Sequence, residues 1–257
     1  MTDKNKIRLS TEEIIVIAGM LGYKTVVGIE NEITDKWKSS LRHRIRTIVK
    51  RLEKKRVIRF GLEGRLLVIN KVRLAVECLC DPEMFMILSD TSQRSSNSKV
   101  YIMLKNGKYF RLSRTANGSC NVRITDEFEL NLFENHFDES DDIVDVSYPI
   151  KTVKKAKNAV DGFDEELARR LLSDNAEYSE NTDKIIELLE NGYVSINAFL
   201  KDGTIFRKFF NCNIGFCNKA AVEIKNDDDN IVHFRTVDRS FIETVLPDIL
   251  RERGVLN

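Results

Sequence analysis

Residues able to ligate a metal or to carry acid–base or nucleophilic chemistry are few in this sequence and spread thinly along it. Cys212, Cys217 and His233 offer three zinc-type ligands, but the paired Cys-x-x-Cys knuckles of a structural site are missing. Cys78 and Cys80 fall on different faces of the helix that their neighbours suggest, so they do not chelate one ion together. Five cysteines, an odd number in a chain too long to need staples, read as reduced, buried thiols that behave as small hydrophobes. His43 lies in a basic helix, His136 ends a helix and His233 sits in a strand, each without the partners a general base requires. Asp227-Asp228-Asp229-Asn230 lacks the glycine and terminal glutamate of an EF-hand loop and reads as a hairpin tip. No Gly-rich phosphate loop, Gly-x-Ser-x-Gly elbow or His-Glu-x-x-His helix occurs. The expectation is a non-enzymatic binding protein with no catalytic residue, metal or cofactor.

The one concentrated charge feature is a helix expected from about Asp35 to Lys55. Between Lys36 and Arg56 it carries ten cations with Glu53 as the sole acid. Lys38, Arg42, Arg44, Arg46, Lys50 and Lys54 are the candidate contacts to DNA or to an acidic partner. In a winged-helix regulator such a helix enters the major groove and its cations meet phosphates. A helix-turn-helix also needs a preceding helix packed across it, and Gly22 to Thr34, with two glycines and little period, is poorly suited to supply one. A solvated face, or a docking face for an acidic partner, is therefore preferred, with DNA second. The net charge of +1 agrees, since no global field attracts nucleic acid or membrane.

The elements around that helix can be read in order. Ser10 as N-cap with Glu13 three residues on is a capping box, followed by Ile14, Ile15, Ile17, Ala18 and Leu21, and closed by Gly22. This run, Ile14 to Leu21, is the longest apolar one and is too short to span a bilayer. Met1 to Leu9 is polar and Lys-rich, with neither leader nor anchor. Trp37, Leu41, Ile45, Ile48 and Leu52 form the apolar stripe of the basic helix. Val57 to Phe60 and Leu66 to Ile69 read as two strands, then Lys71 to Cys80 as a helix, which together outline a winged-helix-like unit over 8–80. Met84 to Leu88 is a strand candidate and Ser89 to Ser98 a loop.

Leu104-Lys105-Asn106-Gly107-Lys108-Tyr109-Phe110-Arg111 returns as Leu200-Lys201-Asp202-Gly203-Thr204-Ile205-Phe206-Arg207. Asn-Gly and Asp-Gly supply the positive φ angles of a type I′ turn, so each copy predicts a β-hairpin, with Phe110 and Phe206 buried. A strand and a capped helix are expected after each copy, marked by Thr125, Phe128, Leu132 and Phe133 in one and by Asp238, Phe241, Val245 and Leu246 in the other. Two unrelated hairpins would share part of this pattern through turn chemistry alone; the matching flanks favour duplication. The expected fold is α+β, two related halves of helices plus antiparallel sheet about a pseudo-twofold axis. The halves are 1–137 and 163–257, the second opening with helices at about Asp164 to Leu172 and Thr182 to Asn191. Residues 138–162, with an acidic patch (Asp138, Glu139, Asp141, Asp142), a short strand at Ile143 to Val146 and a basic run (Lys151, Lys154, Lys155, Lys157), read as the connection.

Leu9-Ser10-Thr11-Glu12-Glu13 opening an apolar helix that closes at Leu21-Gly22, the helix end from Leu52 to Val57 and the Leu66 to Ile69 wing together resemble the Firmicute relatives of EspG, the chaperones of type VII (ESX) secretion. That resemblance implies a quasi-twofold α/β fold of two similar subdomains in the cytoplasm. It also implies recognition of a helical secretion substrate of the Trp-x-Gly class, by surface contacts and without cofactor. A winged-helix transcription regulator with a C-terminal sensor half is the alternative.

Overall fold

The computed structural model describes residues 6–29, 40–61, 66–91, 98–114, 119–125, 143–173, 181–217, 220–238 and 241–252. The chain is α+β, and it divides into two compact units. Unit 1 comprises Met1–Ile87, Lys99–Phe128 and Ala198–Arg207; unit 2 comprises Leu88–Ser98, Glu129–Asn197 and Lys208–Asn257.

Unit 1 begins with β1 (Lys6–Ser10), a strand where a polar tail was expected. Its short alternation buries Ile7 and Leu9, and it pairs antiparallel with β7 (Ser119–Thr125), Arg8 opposite Asn121 and Ser10 opposite Ser119. Helix α1 (Thr11–Met20) starts at the predicted capping box. The Ser10 hydroxyl accepts from the Glu13 amide at 3.2 Å, and the Glu13 carboxylate accepts from the Ser10 amide at 2.8 Å. Gly22, at φ 90°, follows its end.

Helix α2 (Leu41–Lys54) carries the basic sequence; the first residues of the predicted helix, 35–39 with Trp37 among them, lie outside the described residues. Only part of the expected stripe is interior: Ile48 and Leu52 are buried and Ile45 half-buried, while Leu41 is exposed. β2 (Ile58–Phe60) and β3 (Leu66–Val68) pair antiparallel, and α3 (Asn70–Cys80) follows, all as expected.

β4 (Met84–Asp90) runs into the region read as a loop, taking up Ser89 and Asp90. β5 (Ser98–Lys105) and β6 (Lys108–Arg114) form the first hairpin, closed by Asn106 at φ 52° and Gly107 at φ 69°. Strands in unit 1 are hydrogen-bonded in the order β1-β7-β6-β5-β4. Its core gathers Ile14, Ile17, Ile48, Leu52, Val76, Leu79, Met103 and Leu112.

β9 (Tyr193–Asp202) and β10 (Ile205–Cys217) form the second hairpin, and here the repeat departs from the first copy. Asp202 ends its strand, and the turn falls on Gly203, at φ 63°, and Thr204, one residue later than in the first copy. A one-residue shift exchanges the two faces of a strand. Phe110 is buried, whereas Phe206 is only half-buried and the tip residue Ile205 is 54% exposed, which corrects the expectation that both phenylalanines are interior. Phe206 instead meets Phe85 edge-on at 4.9 Å, while Phe199 stacks on Phe85 at 4.7 Å. The lysines of the repeat do converge: Lys105 Nζ reaches Asp81 Oδ2 at 3.0 Å, and Lys201 Nζ reaches Asp81 Oδ1. Thr125, the expected start of the helix marked by Phe128, Leu132 and Phe133, ends β7, and residues 126–133 lie outside the described residues.

Unit 2 adds β8 (Asp145–Pro149), β11 (Ala220–Asn226) and β12 (Ile231–Val237), and its strand order is β9-β10-β11-β12-β8. The segment read as a connection supplies β8 and then α4 (Ile150–Asp161), so the basic run lies on a packed helix. The apolar period that places Ala156, Ala159 and Val160 in the core is interleaved with lysines, which masked it in the sequence. The acidic patch 138–142 lies outside the described residues. Helices α5 (Glu165–Ser173) and α6 (Thr182–Asn191) match expectation, and a π-helical turn (Phe241–Val245) leads into α7 (Leu246–Glu252). The core centres on Tyr148, Phe234, Ile185, Leu188 and Val222, with Tyr148 edge-on to Phe234 at 6.2 Å.

Candidate functional site

Helix α2 is anchored by Ile48 and Leu52, with Ile45 and Val49 half-buried beside them, and turns its charged surface outward. Arg42, Arg46, Lys50 and Lys54 recur at intervals of four, one stripe along the helix, and all are exposed. Arg44 leaves that stripe and approaches Glu12 of α1 at 3.8 Å. Lys38 lies outside the described residues. Like charges four apart each destabilise a helix by about 0.2–0.5 kcal/mol, so the stripe costs about 1 kcal/mol that packing must offset. Such an arrangement is tolerated where the face meets an anion, and equally where it is merely solvated.

Unit 2 holds a groove of 660 Å³ between α4 and α6, over one face of the sheet. Its floor is Ile224, Val232 and Phe234 from the strands; its walls are Ile150 and Val153 on one side and Leu188 and Leu189 on the other. Two lysines stand at the rim, Lys154 and Lys157, the latter held by Asp161 at 2.6 Å. Gly215 lies beneath: a Cβ there would come within 2.7 Å of Leu188 Cδ2, so the missing side chain lets α6 settle on the strand. The volume lies in the range of ligand pockets, about 300–1,000 Å³. Its rim also carries Asp161 and Glu190, so its charges are mixed, and its apolar floor can hold the apolar edge of a partner.

The groups considered for chemistry do not assemble there. Cys212 and Cys217 are five apart on β10 and so face opposite sides of the sheet. Cys217 joins the unit 2 core, while Cys212 Sγ lies 3.9 Å from Glu223 Oε1 and burial pushes its thiol up to about 12. Burial likewise raises Cys80 to about 12 and Cys78 further still. His233 has other partners: its Nδ1 is 2.7 Å from Ser147 Oγ and its Nε2 2.9 Å from Asp227 Oδ2. This Ser–His–Asp chain was not legible in the sequence, because strand pairing alone brings Ser147 opposite His233. It belongs to the hairpin tip. Asp227 Oδ1 also accepts from the amides of Asp229 and Ile231, and these bonds, with that to His233 foremost, hold its carboxyl below the usual range. The histidine and its two partners do not line this groove. Among the described residues no cluster of three or more metal-ligating side chains occurs.

A further pairing was missed from sequence. Glu13, fully buried, is gripped by Lys55 Nζ at 2.7 and 2.8 Å, linking α1 to the end of α2 beside a cavity that Arg8 and Arg51 also line. Glu13 was visible as a capping residue, but its partner lies 42 positions away.

This α+β architecture has a counterpart among the chaperones of type VII secretion. The chain is similar in fold, with a TM-score of 0.61 over 95% of both chains and 9% identity, to a solved structure described as the Mycobacterium tuberculosis type VII secretion system chaperone EspG5 in complex with the PE25–PPE41 dimer. No protein-family model matches the chain, and no curated protein matches it by sequence. Among the described residues no helix is long and apolar enough to cross a membrane.

Proposed function

We propose that this chain is a non-enzymatic cytoplasmic chaperone or adaptor that holds a helical protein substrate of type VII secretion, of the Trp-x-Gly class. The observation that carries this reading is the fold likeness extending over 95% of both chains to a chaperone solved with its client dimer. The groove between α4 and α6 supports it, since its apolar floor accepts side chains spaced i, i+4 on an amphipathic helix. Lys154 and Glu190 at the rim offer one charge of each sign to polar residues flanking that stripe. The duplicated halves and the winged-helix-like start of unit 1 are part of the same reading, drawn from the repeat and from the order α1, α2, β2, β3, α3.

Co-expression with a small Trp-x-Gly helical-hairpin protein, followed by size-exclusion chromatography, tests the proposal. A co-eluting complex lost on Val153→Asp or on Tyr193→Asp, the tyrosine also lining the groove, is the expected result. Absence of any complex, or one indifferent to both substitutions, overturns it.

The like-charge stripe of α2 favours a second reading, a winged-helix DNA-binding regulator. If about six cations met phosphates, duplex affinity would fall roughly a thousandfold between 50 and 200 mM salt. Nanomolar, sequence-selective duplex binding lost on replacing Arg42, Arg46 and Lys50 by Ala would place function there; the chaperone reading expects only non-specific binding.

A further inference from the structure

Unit 1 contains a second cavity, of 420 Å³, with a different chemistry from the groove. It opens where the β1–β7 edge meets the C-terminal end of α2, and its lining is polar and cationic: Arg8, Arg51 and Lys55, with Ser10, Asn121 and the buried Glu13. Three cations and one carboxylate line the same cavity. That carboxylate is already saturated, taking Lys55 on both oxygens and the Ser10 amide on one. Arg8 and Arg51 have no ion-pair partner among the described residues, and both are exposed at the cavity. Two positive charges therefore remain unneutralised around one open space. Arg8 stands opposite Asn121 in the β1–β7 register, which sets a neutral amide beside a guanidinium on the same face.

A guanidinium presents paired N–H donors in a rigid plane that matches a phosphate or carboxylate edge. Two of them, with a side-chain amide and a lysine held in place by its own carboxylate, suit a compact anion of charge about −2. A monoanionic carboxylate would leave a positive charge over. An edge strand also uses charge to repel strand pairing, which accounts for Lys6 and Arg8 on β1; it does not account for Arg51 coming from another element to the same cavity.

We propose that this cavity is an anion site for a phosphate monoester group, with Arg8 and Arg51 as its binding residues and Lys55, whose charge Glu13 already balances, at its wall. The phosphate belongs either to a soluble small molecule or to a lipid headgroup.

Isothermal titration of the full chain with inorganic phosphate and with pyrophosphate, at low salt, is the direct test. The site predicts saturable binding of one anion per chain, weakened tenfold or more by Arg8→Gln or Arg51→Gln and largely kept by Arg51→Lys. Arg42→Gln, on the same helix but outside the cavity, leaves it unchanged. Both arginines are exposed, and an unchanged circular dichroism spectrum confirms that the variants are folded. Sedimentation with vesicles carrying a phosphoinositide monophosphate, against phosphatidylcholine vesicles, separates the two sources: Arg8-dependent pelleting that free phosphate competes away assigns a headgroup, and phosphate binding without pelleting assigns a soluble ligand. No saturable binding, or binding that survives both glutamine variants, overturns the site. Equal loss on Arg42→Gln would also overturn it, by showing a diffuse helix surface instead of a cavity.

Discussion

Replacing Lys55 by Met tests how the two helices of unit 1 are joined. Glu13 is fully buried and receives Lys55 at 2.7 and 2.8 Å together with the Ser10 amide at 2.8 Å. Removing one partner of a buried pair costs about 3–5 kcal/mol, because the remaining charge stays desolvated. Lys55 is itself 43% exposed, so water reaches the pair and screens it; we expect about 2 kcal/mol for Lys55→Met. Glu13→Gln keeps the amide cap but gives up a bond to a charged group, about 1–2 kcal/mol. The double variant should cost less than the sum of the singles by about 1 kcal/mol, since no unpaired carboxylate is left behind. Urea titration of all four proteins gives the cycle, and hydrogen exchange at the α1 amides localises it. Additivity within about 0.5 kcal/mol would refute the coupling and leave Glu13 as a helix cap only.

Asp81 binds Lys201 and Lys105, the matched lysines of the two hairpins, and those bonds, Lys201 first, hold its carboxyl below the usual range. A depressed folded value stabilises above the ordinary carboxylate range and is lost as pH falls through it. Asp81→Asn should therefore destabilise at neutral pH, with the difference from the parent chain shrinking in pH-dependent urea melts as pH falls below the ordinary carboxylate range and through the depressed value of Asp81. Gly28 sits at φ 76° with Tyr101 ring atoms 2.9 Å from where a Cβ would stand. Gly28→Ala should cost about 1–3 kcal/mol by thermal or urea unfolding, with the Tyr101 ring displaced.

Where short-range chemistry decides structure, the sequence was sufficient. The Ser10–Glu13 box fixed the start of α1 because both partners lie within one turn, and Asn106-Gly107 closed a hairpin because those residues adopt positive φ. The apolar steps of α6 and the β2–β3 pair were legible for the same reason. Even the second hairpin was found, though its turn moved one residue to Gly203 and Thr204, leaving Phe206 half-buried and Ile205 exposed. Phe206 meets Phe85 across 121 positions, a neighbour that no window of eight residues contains.

The candidate sites depended on such distant neighbours throughout. Arg8 and Arg51 reach one cavity because β1, a strand of five residues hidden in a charged tail, finds β7 more than a hundred positions away. Ser147 meets His233 through strand register, and the groove exists because α4, whose lysines disguised its buried face, packs beside α6 over the sheet. Charge, composition and missing motifs determined that a binding protein was the better expectation than an enzyme. Which charges converge was decided only by long-range pairing and burial, whose energies depend on partners that linear spacing does not name.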